Sequence, residues 1–111
     1  MKLFELINKC GFEIVNELFE PEREISGGYT GDLLSDVIAS TKKNNVWITM
    51  QTHVNIIAVA NLKELSAIII VMNRKIDDDT IEKANEEKVT LLRTDKTSYR
   101  ISGIMYNLEV I

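Results

Sequence analysis

The chain has 111 residues, of which 45% are hydrophobic and 27% charged, a balance typical of one small globular domain. Its 13 basic and 17 acidic residues give a net charge of −4. This charge disfavours a nucleic-acid-binding protein, because such proteins neutralise phosphates with Lys and Arg. No apolar run reaches the roughly 20 residues that span a bilayer, so we expect no membrane partner. The single cysteine, Cys10, excludes an intrachain disulfide and favours a cytoplasmic location.

Two elements are predicted near the start of the chain. Apolar residues at helical spacing predict a helix over 1–10, and Gly11 is a suitable place for it to end. Alternating apolar and polar residues then predict a first strand near 13–18, which Asn16 weakens and Pro21 ends.

Three further strands are predicted in the rest of the chain. A β-branched and aromatic run predicts a strand over 46–50, and another is predicted over 89–94. Residues 65–71 are apolar without alternation, which predicts a strand buried on both faces, as in a parallel sheet. Helices are expected after these strands and after residue 31, starting at polar residues that can serve as caps. The candidate caps are Thr30 or Asp32, Thr52, and Thr97 or Ser98, and the segment Asp77–Thr80 is expected to open another helix with acids in its first turn.

Strands that alternate with helices imply right-handed βαβ units. We therefore predict one α/β domain over residues 1–111 with a mainly parallel sheet, in which residues 67–71 form a central strand. Ligands of such sheets bind beyond the carboxyl ends of the strands. The loops at 51–53, 72–75 and 94–97 should meet at that edge.

A glycine-rich segment is the most informative part of the sequence. Gly27, Gly28 and Gly31 lie just before an apolar run with helical spacing, and the segment joins the other loops if the first strand is parallel. Glycines expose backbone N–H groups, and a helix N-terminus favours an anion. A kinase-type P-loop is excluded because Asp32 stands where that motif has lysine. Two interpretations stay open: a tight strand-to-helix connection, or a contact with a polar or anionic ligand.

The candidate ligand-binding residues lie in this segment or in loops that follow predicted strands. They are Gly27, Gly28, Thr30, Gly31, Asp32, Gln51, Thr52, His53, Asn73 and Arg74. Arg74 offers a forked donor for a phosphate or carboxylate. His53, the single histidine, is more typical of a polar surface or capping residue than of a catalytic one. The sequence shows no catalytic set and no paired metal-ligand spacing, so we expect no catalytic residues, no metal and no cofactor.

Several segments, in this order, resemble a stand-alone DRTGG domain. They are residues 27–37, 46–55, 67–71, 79–84 and 89–94. The family is similar to the N-terminal domain of HPr kinase/phosphorylase and occurs fused to CBS domains and to phosphotransacetylases. The resemblance implies a three-layer α/β/α fold and a regulatory or ligand-sensing module without established chemistry. The catalytic P-loop of the kinase lies in a separate domain, so we expect no kinase activity from these residues.

The third loop departs from the family pattern. Residues 72–74, with the sequence Met-Asn-Arg, stand where the family often has a glycine-rich turn.

Three functional hypotheses follow from these observations. The first is a non-catalytic module that binds a small anionic or nucleotide-like ligand or a partner protein. The second is an enzyme that acts on a phosphorylated small molecule through His53, Arg74 and Asp32. A deep pocket in which His53 faces Asp32 would favour this enzyme hypothesis. A shallow cleft with these groups apart would favour binding. The third is a structural subunit of a larger complex, which an exposed apolar face on the last helix would favour.

The C-terminal segment is more apolar than one helix face requires. Its apolar residues are Tyr99, Ile101, Ile104, Met105, Tyr106, Leu108, Val110 and Ile111. A helix packed on a core buries only part of its circumference, so this surplus predicts a homodimer. The alternative is that the first helix covers the same surface within one chain, through Leu3, Phe4 and Ile7.

Overall fold

Five strands form one sheet, and five helices cover its two faces. The computed structural model describes all 111 residues. The helices are α1 (Leu3–Cys10), α2 (Leu34–Ser40), α3 (Asn55–Leu62), α4 (Asp78–Glu87) and α5 (Ser98–Asn107). The strands are β1 (Glu13–Ile14), β2 (Gly27–Thr30), β3 (Asn45–Thr49), β4 (Ala67–Ile70) and β5 (Leu91–Arg93). None of the helices is both long and apolar enough to cross a membrane.

The sheet has the order β1-β5-β4-β3-β2. Strands β2 to β5 run parallel, and only β1 is antiparallel to its neighbour β5. Helices lie on both faces, so the predicted three-layer α/β/α fold with a mainly parallel sheet is confirmed. The apolar segment 67–71 contributes the central strand, as its composition indicates.

The side chains of β3 and β4 alternate between two apolar clusters, one on each face of the sheet. Ile48 and Ile69 pack with residues of α1 and α5, whereas Trp47 and Ile68 pack with residues of α2, α3 and α4. All four side chains are buried. Because both faces are covered, these strands are apolar at successive positions instead of alternating.

The first strand is shorter than predicted because a side chain takes over its pairing. The Asn16 amide nitrogen donates to the Val89 carbonyl at 2.8 Å, and the Asn16 amide oxygen accepts from the Leu91 N–H at 2.8 Å. The side-chain amide therefore replaces a peptide group beside β5. Strand β1 covers only two residues of the predicted 13–18 segment.

The sequence predicts a ligand-binding loop at the glycine-rich segment. This prediction of a loop is wrong for Gly27 and Gly28, which lie in strand β2. Strand β2 pairs in parallel with β3, with Gly28 opposite Val46. A Cβ at Gly28 would lie 3.5 Å from the terminal carbon of Met105, an ordinary contact distance, whereas a Cβ at Gly27 would lie only 2.7 Å from the Ile111 carbonyl oxygen. At Gly31 a Cβ would lie 2.9 Å from the Tyr29 ring.

The helix starts agree with the predicted caps in part. The Thr97 hydroxyl accepts from the Arg100 N–H at 3.2 Å and caps α5, as predicted. Helix α2 instead begins after Leu33 and α3 after Val54, and neither residue makes a side-chain cap. The predicted caps at these two helices are therefore wrong.

The first and last helices share one apolar cluster, which accounts for much of the apolar surplus at the C-terminus. Leu3 and Ile7 belong to the same cluster as Ile101, Met105 and Val110, with Ile104 and Leu108 packed against it. Tyr99, Tyr106 and Ile111 remain exposed. Contact within one chain therefore buries most, but not all, of this surface.

Substitution of Asn16 by Ala should destabilise the protein. It leaves the Val89 carbonyl and the Leu91 N–H without the partners they have in the folded state, which is expected to cost about 2 kcal/mol. The exposed Asn85 makes no side-chain hydrogen bond, so Asn85→Ala should change the unfolding free energy by no more than about 0.5 kcal/mol. Urea denaturation of the two variants measures both values, and equal effects would contradict the pairing role of Asn16.

Candidate functional site

The loops at the carboxyl edge of the sheet enclose a small cleft. Its volume is about 230 Å³, and it lies where β2, β3 and β4 end. Six residues line it: Asp32, Met50, Gln51, Thr52, His53 and Arg74. Five of these were candidates from the sequence, and the structure brings them together. Met50 was not predicted as a site residue, because nothing in the sequence distinguishes a methionine at the end of a strand as a ligand-binding residue.

The other five sequence candidates do not line this cleft. Gly27 and Gly28 lie in β2, and Gly31 lies beneath the Tyr29 ring. The Thr30 hydroxyl is 2.7 Å from that of Ser102 on α5. The fifth, Asn73, uses its backbone N–H to bond the Thr94 carbonyl at 2.8 Å. The glycine-rich segment therefore reaches the cleft only through Asp32.

Asp32 holds the connection after β2 against the end of β3. Its carboxylate oxygen Oδ1 accepts from the Thr49 hydroxyl at 2.7 Å and from the Met50 N–H at 2.8 Å. The Gln51 side chain donates to the Asp32 carbonyl at 3.0 Å. These bonds fix one wall of the cleft. The second carboxylate oxygen, Oδ2, makes no hydrogen bond within the protein.

His53 joins the starts of α3 and α4. Its Nδ1 lies 2.7 Å from the Asp77 carboxylate, and its side chain is 71% exposed. The imidazole therefore faces Asp77 and not Asp32. This shallow arrangement, with the groups apart, favours binding over acid–base catalysis.

Arg74 is presented by a turn of unusual backbone conformation. Met72 and Asn73 both have positive φ, at 57° and 50°, and their N–H groups donate to the Lys96 and Thr94 carbonyls. Glycine adopts this conformation most easily, so methionine and asparagine are strained at these two positions. Each non-glycine residue in it costs about 1–2 kcal/mol, and such strain often marks functional sites.

The Arg74 guanidinium has no acidic partner. Its only side-chain hydrogen bond is to the Met50 sulfur, 3.7 Å from Nη2. No ion pair involves it. Its charge is therefore available to a ligand.

The start of α3 adds uncapped backbone donors to the same edge. The N–H groups of Thr52, His53, Val54 and Asn55 make no hydrogen bond within the protein. The free N–H groups and the dipole of a helix N-terminus favour an anion. Arg74 lines the same cleft as Thr52 and His53, so its guanidinium and this helix start both supply donors for an anion there.

A larger cavity of about 700 Å³ lies at the opposite, amino edge of the sheet. All of its charged side chains except that of Lys88 form ion pairs. Arg23 donates to Asn44 at 2.6 Å and to Glu20 at 3.1 Å, and Lys43 lies 4.0 Å from Glu64. We favour the smaller cleft because it has an unpaired arginine and lies at the edge where parallel sheets bind ligands.

Three side chains have a shifted pKa, and all lie away from the cleft. Burial raises the pKa of the Cys10 thiol. Hydrogen bonds to Glu22 and Glu87 raise the pKa values of Lys2 and Lys83, respectively. No group of three or more His, Cys, Asp or Glu side chains is arranged to hold a metal ion.

Comparison with solved structures identifies the fold. The chain is similar to the CBS and DRTGG domains of the regulatory region of Clostridium perfringens pyrophosphatase, a crystal structure in complex with the activator diadenosine tetraphosphate. The fold is DRTGG-like. The TM-score is 0.68 at 15% identity, and the match covers 91% of this chain and 44% of that one. No family model and no curated protein matches the chain.

Replacement of Met72 should separate backbone strain from side-chain packing. Met72→Val puts a β-branched residue at positive φ and should destabilise the protein by about 1–2 kcal/mol, whereas Met72→Gly should be nearly neutral. Met50 is similarly exposed but lacks positive φ, so Met50→Val is the matched control. Chemical denaturation measures all three variants. Equal stability of Met72→Val and Met72→Gly would contradict the strained turn.

Proposed function

We propose that this chain is a non-catalytic, ligand-sensing regulatory domain that binds a small nucleotide-like anion in the cleft. The observation that carries the proposal is the unpaired Arg74 guanidinium, which lines the same cleft as Thr52 and His53 with their free backbone N–H groups. A guanidinium and oriented N–H groups are the donors that recognise phosphate oxygens.

The size of the cleft limits which part of the ligand it holds. Pockets for drug-sized ligands usually measure about 300–1,000 Å³, so a cleft of about 230 Å³ suits a phosphate with its attached sugar. The free Oδ2 of Asp32 can accept from a sugar hydroxyl. A base or a second nucleotide would then extend outside the cleft. The binding of a nucleotide activator by the similar pyrophosphatase regulatory region supports this ligand class.

Regulation is a better explanation than catalysis. The only histidine is exposed and pairs with Asp77, which leaves no buried acid–base pair beside Arg74. The similar solved structure is itself a regulatory region. Three statements remain predictions: the absence of kinase activity, a likeness to the N-terminal domain of HPr kinase/phosphorylase, and a cytoplasmic location.

Substitution of Arg74 by Gln should weaken nucleotide binding. Loss of a charged hydrogen bond costs about 1.5–3 kcal/mol, so the dissociation constant for ADP or diadenosine tetraphosphate should rise by about tenfold to a hundredfold. Arg100 is exposed on α5 and makes no side-chain ion pair, so Arg100→Gln is the matched control and should bind normally. Isothermal titration calorimetry measures each constant.

Three outcomes would contradict the proposal. The first is that the protein binds no nucleotide, sugar phosphate or inorganic phosphate. The second is that both arginine variants lose affinity equally, which would indicate non-specific attraction. The third is turnover of a bound phosphorylated ligand that is abolished by His53→Gln, which would favour the enzyme hypothesis.

A further inference from the structure

Helix α5 carries an unpartnered stripe of aromatic and small residues on its outer side. Tyr99 is 89% exposed and Tyr106 is 65% exposed, and Gly103 lies between them. At about 100° per residue, these three positions share one face, opposite the buried Ile101 and Met105. We call Tyr99, Gly103 and Tyr106 the tyrosine stripe.

The composition of this surface is typical of a protein interface. Arg100 is the only charged residue among the ten of α5. Tyrosine and arginine are enriched at interfaces, where most other charged residues are depleted, and they contribute a large share of binding energy. No other part of the chain covers the stripe, and a Cβ at Gly103 would meet nothing within 4 Å.

The stripe is symmetric along the helix. Tyr99 and Tyr106 lie equally far from the midpoint between Ser102 and Gly103, and so do the two ends of α5. If two copies of α5 cross in antiparallel orientation at this midpoint, Tyr99 of each copy lies beside Tyr106 of the other. Glycine at the centre lets the two backbones approach closely.

The charges beyond the helix ends fit the same arrangement. Lys96 precedes α5 and Glu109 follows it, so antiparallel helices would bring the end of each copy that carries Lys96 towards the end of the other that carries Glu109. Glu109 makes no ion pair within the chain, and Lys96 lies only near Asp95, at 3.8 Å. A helix face whose two ends carry opposite charges fits a two-fold, antiparallel dimer.

We propose that a second copy of this chain docks on the tyrosine stripe, with the two α5 helices antiparallel. Each tyrosine covers about 150–250 Å², so four of them supply roughly half of the 1,200–2,000 Å² that a specific interface buries. Residues that flank the stripe supply the rest. This interface is independent of the nucleotide cleft and goes beyond the proposed function.

Analytical ultracentrifugation of the full chain tests the dimer. The wild-type mass should rise from 12.6 kDa towards twice that value as the concentration increases from micromolar to millimolar. Tyr106→Ser should raise the dissociation constant about tenfold or more. Leu62 is 67% exposed on α3, so Leu62→Ser is the control and should dimerise normally. A monomer at all concentrations, or an equal effect of both variants, would overturn the proposal.

A cysteine at the centre of the stripe tests the orientation. In a Cys10→Ser background, Gly103→Cys should form an intermolecular disulfide in the presence of oxidised glutathione, because a two-fold axis there brings the two Cα atoms within about 7 Å. Leu62→Cys should not crosslink at the same protein concentration. A dimer in which Gly103→Cys fails to crosslink would overturn the proposed interface and show that another surface associates.

Discussion

Parallel pairing of four strands is the constraint on which the rest of the structure depends. It requires each crossover to start at the carboxyl edge of the sheet, so the residues that follow β2, β3 and β4 meet there. Asp32, Gln51 and Arg74 are far apart in the sequence and share a cleft for this reason. The same crossovers start helices at that edge, and they leave the uncapped N–H groups of α3 beside the arginine.

The two sides of the cleft differ in charge and in the local structure that positions their charged side chains. On one side, Asp32 is fixed by bonds from Thr49 and Met50, and its remaining oxygen is an acceptor. On the other side, a strained turn presents Arg74, whose guanidinium has no acidic partner. A ligand with hydroxyl groups at one end and phosphate at the other would match both sides, and for this reason we propose a nucleotide rather than a free anion.

The sequence predicts the parts of this fold that depend on local patterns. Continuous apolar composition predicts β4, and a polar residue before α5 predicts its cap at Thr97. Strand β2 could not be predicted, because glycines disfavour strands and the close approach of the Ile111 carbonyl to Gly27 exists only in the folded chain. The short β1 likewise depends on Asn16 bonding residues more than 70 positions away. Five of the six residues that line the cleft were predicted from the sequence, but the position of Gly27 and Gly28 in a strand was not.

The most direct test of the central claim is a titration of the ¹⁵N-labelled protein with ADP, followed by backbone amide chemical shifts. The account predicts saturable shifts at Val54, Asn55 and Arg74, at the carboxyl edge of the sheet. The amides of Glu64 and Lys88, in the larger cavity at the amino edge, should remain unchanged. Shifts confined to Glu64 and Lys88, or no shift at any of these positions, would contradict it.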